Sequence, residues 1–116
     1  MGQPVVHLEI MGKDAVKLQK FYRELFDWKI GEPVAEMGMY GIIDGESSGI
    51  AGGIGQEPSG AVRTTFYVQV PDLQATLDQA VAKGGKVVMP PMEIPGMVTL
   101  AQFADPEGNL VGLVKG

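Results

Sequence analysis

His7 is the single histidine of a 116-residue chain that contains no cysteine. It stands in PVVHLEI, residues 4–10, two positions before Glu9, in a run that alternates like a strand. An imidazole there can bind a metal, move a proton or fill space. Metal binding is the weakest of the three. A catalytic divalent ion takes about three protein donors from His, Cys or carboxylates, and His7 with Glu9 supplies two from one strand. Ser47, Ser48 and Ser59 lie in glycine-rich turns with nothing to set their geometry to His7, so a Ser-His-Asp triad exists in composition only. The absence of cysteine removes thiolate ligands and disulfides together.

The elements that must position His7 follow from periodicity. VVHLEI reads as a strand, and Asp14 caps a helix from about Ala15 to Phe26 whose Leu18, Phe21, Tyr22 and Leu25 form the expected buried face. WKIG, YGII and GIAGGI read as three more strands, with DG and ESSG as turns. The glycines of residues 38–60 do not make a phosphate loop, because no helix pattern follows them. EPSGAVR reads as a linker. Beyond it the order recurs: TTFYVQV is a strand, and Asp72 caps a helix with Leu73, Leu77, Ala80 and Val81 on one stripe. Gly84-Gly85 ends that helix. KVVM, MVTLAQFA and NLVGLVK complete the set, with PPMEIPG as a loop. At an offset of 60 residues, His7 falls on Tyr67 and Gly52 on Gly112. The expected fold is α+β: one domain over residues 1–116, built of two tandem βαβββ modules at about 4–56 and 62–115.

Strand alternation sorts the side chains. Val6, Leu8 and Ile10, and likewise Phe66, Val68 and Val70, should pack under the helices. Val5, His7 and Glu9, with Thr65, Tyr67 and Gln69, then occupy the opposite faces. Tyr40 could contribute from its strand. Trp28 reads as a core or interface residue, and Met89, Met92 and Met97 as gap fillers.

The net charge of −5 and the scattered lysines and arginines exclude a nucleic-acid surface. No apolar run of about 18 residues suggests a membrane span, and no secretory leader is visible. A cytoplasmic location is the expectation.

VHLEI with KLQKFYRELFDWKI, then FYVQVPDLQATLDQAVAKGGKVV, and above all FADPEGNLVGLV, resemble the vicinal oxygen chelate superfamily of glyoxalases, bleomycin-resistance proteins and extradiol dioxygenases. The resemblance spans about residues 5 to 115. It implies curved mixed sheets around a cleft, with His7, Glu9, Thr65, Tyr67 and Gln69 as ligand-binding residues. It also implies four metal-ligand positions, which fall on Val5, Gly52, Thr65 and Gly112. None of the four is a useful ligand, so no metal and no cofactor is expected. The expected function is metal-free binding of a small organic molecule by a homodimer. The alternative is a superfamily isomerase or lyase with His7 and Tyr67 as acid-base groups; no catalytic residue is otherwise assigned.

Overall fold

The computed structural model describes residues 2–116, which divide into two compact units. One is Val6–Thr65; the other comprises Phe66–Gly116 with the N-terminal segment through Val5. Among the described residues no helix is long and apolar enough to cross a membrane.

The first unit runs β1 (Val5–Gly12), α1 (Ala15–Phe26), a 3-10 turn (Ala35–Met37), β2 (Gly41–Ile43), α2 (Gly45–Ser48) and β3 (Gly52–Gln56). β3 pairs with β1 in parallel, setting Leu8 opposite Gly52 and Glu9 opposite Gly53. It pairs with β2 antiparallel, setting Ile42 opposite Gly53. WKIG does not form the expected strand: it contributes one bridge, Ile30 to Ile43, and a bond from the Gly31 amide to the Ile42 carbonyl. The expected DGESSG turn is a short helix instead, because the Asp44 carboxylate caps it by accepting from the Glu46 amide.

α1 begins as expected, with Asp14 accepting from the Lys17 amide at 3.0 Å. Its buried face, however, is turned from the expected one. Ala15 and Gln19 are buried, Leu18 and Tyr22 half-buried, while Phe21 and Leu25 stand 56% and 57% exposed. The inward line is 15, 19 and 22. Hydrophobicity alone misplaces it because the residue at its centre, Gln19, is polar and earns burial through hydrogen bonds.

The second unit carries β4 (Arg63–Val70, which starts in the first unit), α3 (Leu73–Ala82), β5 (Lys86–Ile94), β6 (Val98–Ala104) and β7 (Leu110–Lys115). The strand order is β4-β7-β6-β5, with β4 parallel to β7. Asp72 caps α3 by accepting from the Ala75 amide, and the Gly85 amide closes its far end on the Ala80 carbonyl. Leu73 and Leu77 of α3 pack with Val70, Ala101 and Leu113, flanked by Val68 and Phe103. Each of the larger side chains in this set contributes about 1.5 to 3 kcal/mol on full burial. Two expectations fail here. Phe66 and Val81 are 41% and 50% exposed, so Phe66 does not join Val68 and Val70. PPMEIPG is not a loop, since Pro90 to Ile94 lie inside β5, whose register shifts between Val87 and Met92 accommodate the two prolines.

The DPEGN turn before β7 is built by one carboxylate. Asp105 accepts from the Glu107 and Asn109 amides and the Asn109 side chain, each at 2.9 Å, and Gly108 supplies the left-handed residue at φ 93°. The Asn109 side-chain bond is the main cause that holds the Asp105 carboxyl below its ordinary range.

Candidate functional site

In the first unit the polar groups gather around Tyr40. Gly38 and Met39 both take left-handed backbone conformations, at φ 65° and 57°. They deliver Tyr40 to the start of β2 with its ring lying across β3. There the strand has glycines at alternate positions. A Cβ at Gly55 would stand 2.6 Å from Tyr40 Cδ1, and one at Gly53 would meet the ring itself. The hydroxyl thereby crosses β3 to reach β1, at 2.9 Å from His7 Nε2 and 3.1 Å from Glu9 Oε2. The imidazole and phenol rings are parallel within 9°.

Arg63, at the start of β4, holds the other carboxylate oxygen. Its Nη1 donates to Glu9 Oε1 at 2.9 Å and to Thr65 Oγ1 at 3.0 Å, and its Nε donates to Glu57 Oε2 at 3.1 Å. The Arg63 and Glu9 side chains are only 23% and 12% exposed, so the pair lies largely out of water. The phenol has one proton. With that proton given to Glu9, the Tyr40 oxygen accepts from His7, which assigns the Nε2–H tautomer. Burial pushes the His7 pKa below its ordinary 6.5, outweighing the Glu9 charge, which raises it. The imidazole is therefore neutral at neutral pH, at the end of a chain that runs from His7 through Tyr40 and Glu9 to Arg63.

The second unit holds a smaller polar set. Tyr67 stands opposite Gly112 on β7, and its ring fills the space a Gly112 side chain would need. Gln102 Nε2 on β6 donates to its hydroxyl at 2.9 Å. Tyr67 is 5% exposed. Gln69 packs its side chain beside Gly116.

The structure thus brings His7, Glu9 and Thr65 into one network and places Tyr67 and Gln69 with the other unit. Thr65, 2% exposed, lies beneath Arg63. Arg63, Glu57 and Gln102 escape sequence reasoning because they approach only through tertiary pairing. Gly53 and Gly55 could have signalled Tyr40, since alternate glycines in a strand mark a close approach on one face. The strand register also revises the repeat: Gly53, not Gly52, shares the face of Glu9 and His7.

The ligand positions implied by the resemblance do not fit a divalent metal. Val5 is apolar, Gly52 and Gly112 have no side chain, and the Thr65 hydroxyl accepts from a guanidinium, whose charge repels a cation. A side chain at Gly112 would collide with the Tyr67 ring, and one at Gly52 with the Leu8 carbonyl. No three His, Cys, Asp or Glu side chains cluster to hold an ion among the described residues.

Comparison with known proteins gives a consistent frame. CFP32, a candidate glyoxylase of Mycobacterium bovis and Mycobacterium tuberculosis, is 30% identical over 113 residues, covering 91% of this chain. The chain spans 43% of the length of those curated relatives. A glyoxalase/bleomycin resistance protein/dioxygenase superfamily member from Vibrio splendidus superposes with a TM-score of 0.67 at 15% identity, over 99% of this chain and all of that one. Methylmalonyl-CoA epimerase from Mycobacterium tuberculosis superposes with a TM-score of 0.68 at 15% identity, over 96% of this chain and 86% of that one. At those identities the structures speak for the fold alone. The family model of the Glyoxalase/Bleomycin resistance protein/Dioxygenase superfamily matches residues 5–113, nearly the whole chain, and the chain belongs to that superfamily.

Proposed function

We propose that this chain is a metal-free small-molecule-binding member of its superfamily, with the ligand held against the face of β1 that carries His7 and Glu9. The observation that carries this reading is the half-buried chain from His7 through Tyr40 and Glu9 to Arg63. A polar network taken out of water is costly to maintain, and here it gathers on one face of β1 beside Thr65. Tyr67, steadied by Gln102, and Gln69 are the polar groups of the other unit proposed to serve binding.

Charge narrows the ligand class. With His7 neutral, Glu9, Glu57 and Arg63 carry a net charge of −1 (two carboxylates less one guanidinium). That disfavours an anionic ligand and favours a neutral or cationic organic molecule. Transfer of an acyl-CoA substrate from the epimerase neighbours is disfavoured on the same ground.

The test is a thermal-shift screen of neutral, cationic and anionic small molecules, followed by calorimetry on the hits. Neutral or cationic hits whose affinity falls in His7→Ala and Tyr67→Phe are expected, with a loss of about 1 to 3 kcal/mol where a buried partner is left unpaired. Hits confined to anions, or equal affinity in both variants, would sink the reading. Elemental analysis should find no stoichiometric divalent metal.

The second reading is an isomerase or lyase with His7 and Tyr67 in acid-base roles. It is favoured by the lowered His7 pKa, which keeps a neutral base available. Deuterium uptake from solvent into a bound carbon acid, lost in His7→Ala, would select it.

A further inference from the structure

We infer that Gln19 is a positioning residue for Tyr40 and, through Tyr40, for His7. This rests on the reading of the His7 face as the binding face. Gln19 is 1% exposed, inside α1 at a place where helices ordinarily turn an apolar side chain inward. Its Nε2 donates twice: to the Met39 carbonyl at 2.9 Å and to the Ile54 carbonyl at 2.8 Å. Those two acceptors are informative. Met39 is the residue before Tyr40, and Ile54 lies between Gly53 and Gly55, the glycines beneath the Tyr40 ring. One amide therefore ties the end of the turn that carries the ring to the strand on which the ring lies. The chain also leaves room for that amide. A Cβ at Gly41 would stand 2.9 Å from Gln19 Cδ and Nε2, so glycine there lets the amide approach β2 closely.

An apolar side chain of equal length at position 19 would fill the volume and donate nothing. Met39 would then lose its link through Gln19 to Ile54. The turn would stay on β3 through the Gln56 amide bonded to the Gly38 carbonyl, but the residue next to Tyr40 would be released, and the phenol would be held less tightly at its distance from His7 Nε2. Among the described contacts, the charged and titratable groups that bear on His7 include Glu9 on its own strand, Tyr40 just before β2, and Arg63 with Glu57 through Glu9.

Because His7 is the single histidine, nitrogen and proton NMR of its ring reads this arrangement without ambiguity in the full chain. The probe is the proton itself. In the wild type the expected signals are the Nε2–H tautomer and a pKa below 6.5. In Gln19→Met the expected result is a pKa that moves up towards 6.5 as the ring loses its cover, together with a larger share of the Nδ1–H tautomer. Tyr40→Ala should move both signals the same way. Gly41→Ala, which crowds the Gln19 amide while leaving it in the sequence, should do so to a smaller extent. A folded Gln19→Met with the wild-type tautomer and titration would overturn the inference. If Gln19→Met does not fold, the Gly41→Ala titration decides by the same two signals. No ligand enters this experiment, so a failed ligand screen would sink the binding reading and leave the role of Gln19 standing.

Discussion

The ring of Tyr40 occupies the volume that a side chain at Gly53 would require. That single exclusion explains how a residue on one side of β3 bonds to His7 and Glu9 on the other. It also makes Gly53 a sensitive position. Gly53→Ala should expel the ring from β3, break the Tyr40 bonds and destabilise the chain by about 1 to 3 kcal/mol, the range for overpacking. Urea denaturation gives the stability and the His7 NMR signals report the ring. A variant of wild-type stability and unchanged His7 signals would refute the geometry.

Arg63 is expected to behave as a shared counter-charge. Arg63→Met leaves the 12%-exposed Glu9 without its guanidinium and Thr65 without that donor, at a cost of about 1 to 3 kcal/mol. Glu9→Gln in the same background should recover part of that loss. A double-mutant cycle measures the coupling; purely additive effects would mean that the Arg63 and Glu9 ion pair contributes nothing.

Stability should fall on acidification through His7. Its folded pKa lies below 6.5 because burial disfavours the imidazolium. Above pH 6.5 both folded and unfolded states hold the neutral ring, and the contribution is fully present. As the pH falls, the unfolded chain takes up a proton that the folded chain refuses, so stability declines until the folded pKa is reached. Urea midpoints measured from neutral pH downwards should show this decline in the wild type and lose that component in His7→Gln. Parallel curves for the two proteins would contradict it.

The outer face of α1 is expected to be covered in solution by a second copy of the chain. Phe21, Leu25 and Phe26 are each more than half exposed, and Phe21 and Phe26 meet Tyr22 and Trp28 in one aromatic group. Apolar surface of that kind marks an interaction site. Light scattering should return a dimer mass that Leu25→Glu converts to monomer. A wild-type monomer at every concentration would exclude self-association.

The local signals of this fold were legible in the sequence because they act within a few residues. Asp14 and Asp72 cap helices three residues ahead, Gly84-Gly85 closes α3, and Asp105 folds DPEGN around its own carboxylate. The alternation of Val6, His7, Leu8 and Glu9 also belongs to that range, since it needs only the pleat of one strand. WKIG failed as a strand because its pairing depends on β2, and α1 turned Gln19 inward because two distant carbonyls receive its amide. The network at His7 was decided at longer range still. Tyr40 lies 33 residues from His7, and Arg63 lies 54 from Glu9. Gly53 and Gly55 mark a close approach in the sequence, but which residue approaches, and that it reaches β1, is decided only once β1 pairs with β3 and the chain has closed on itself.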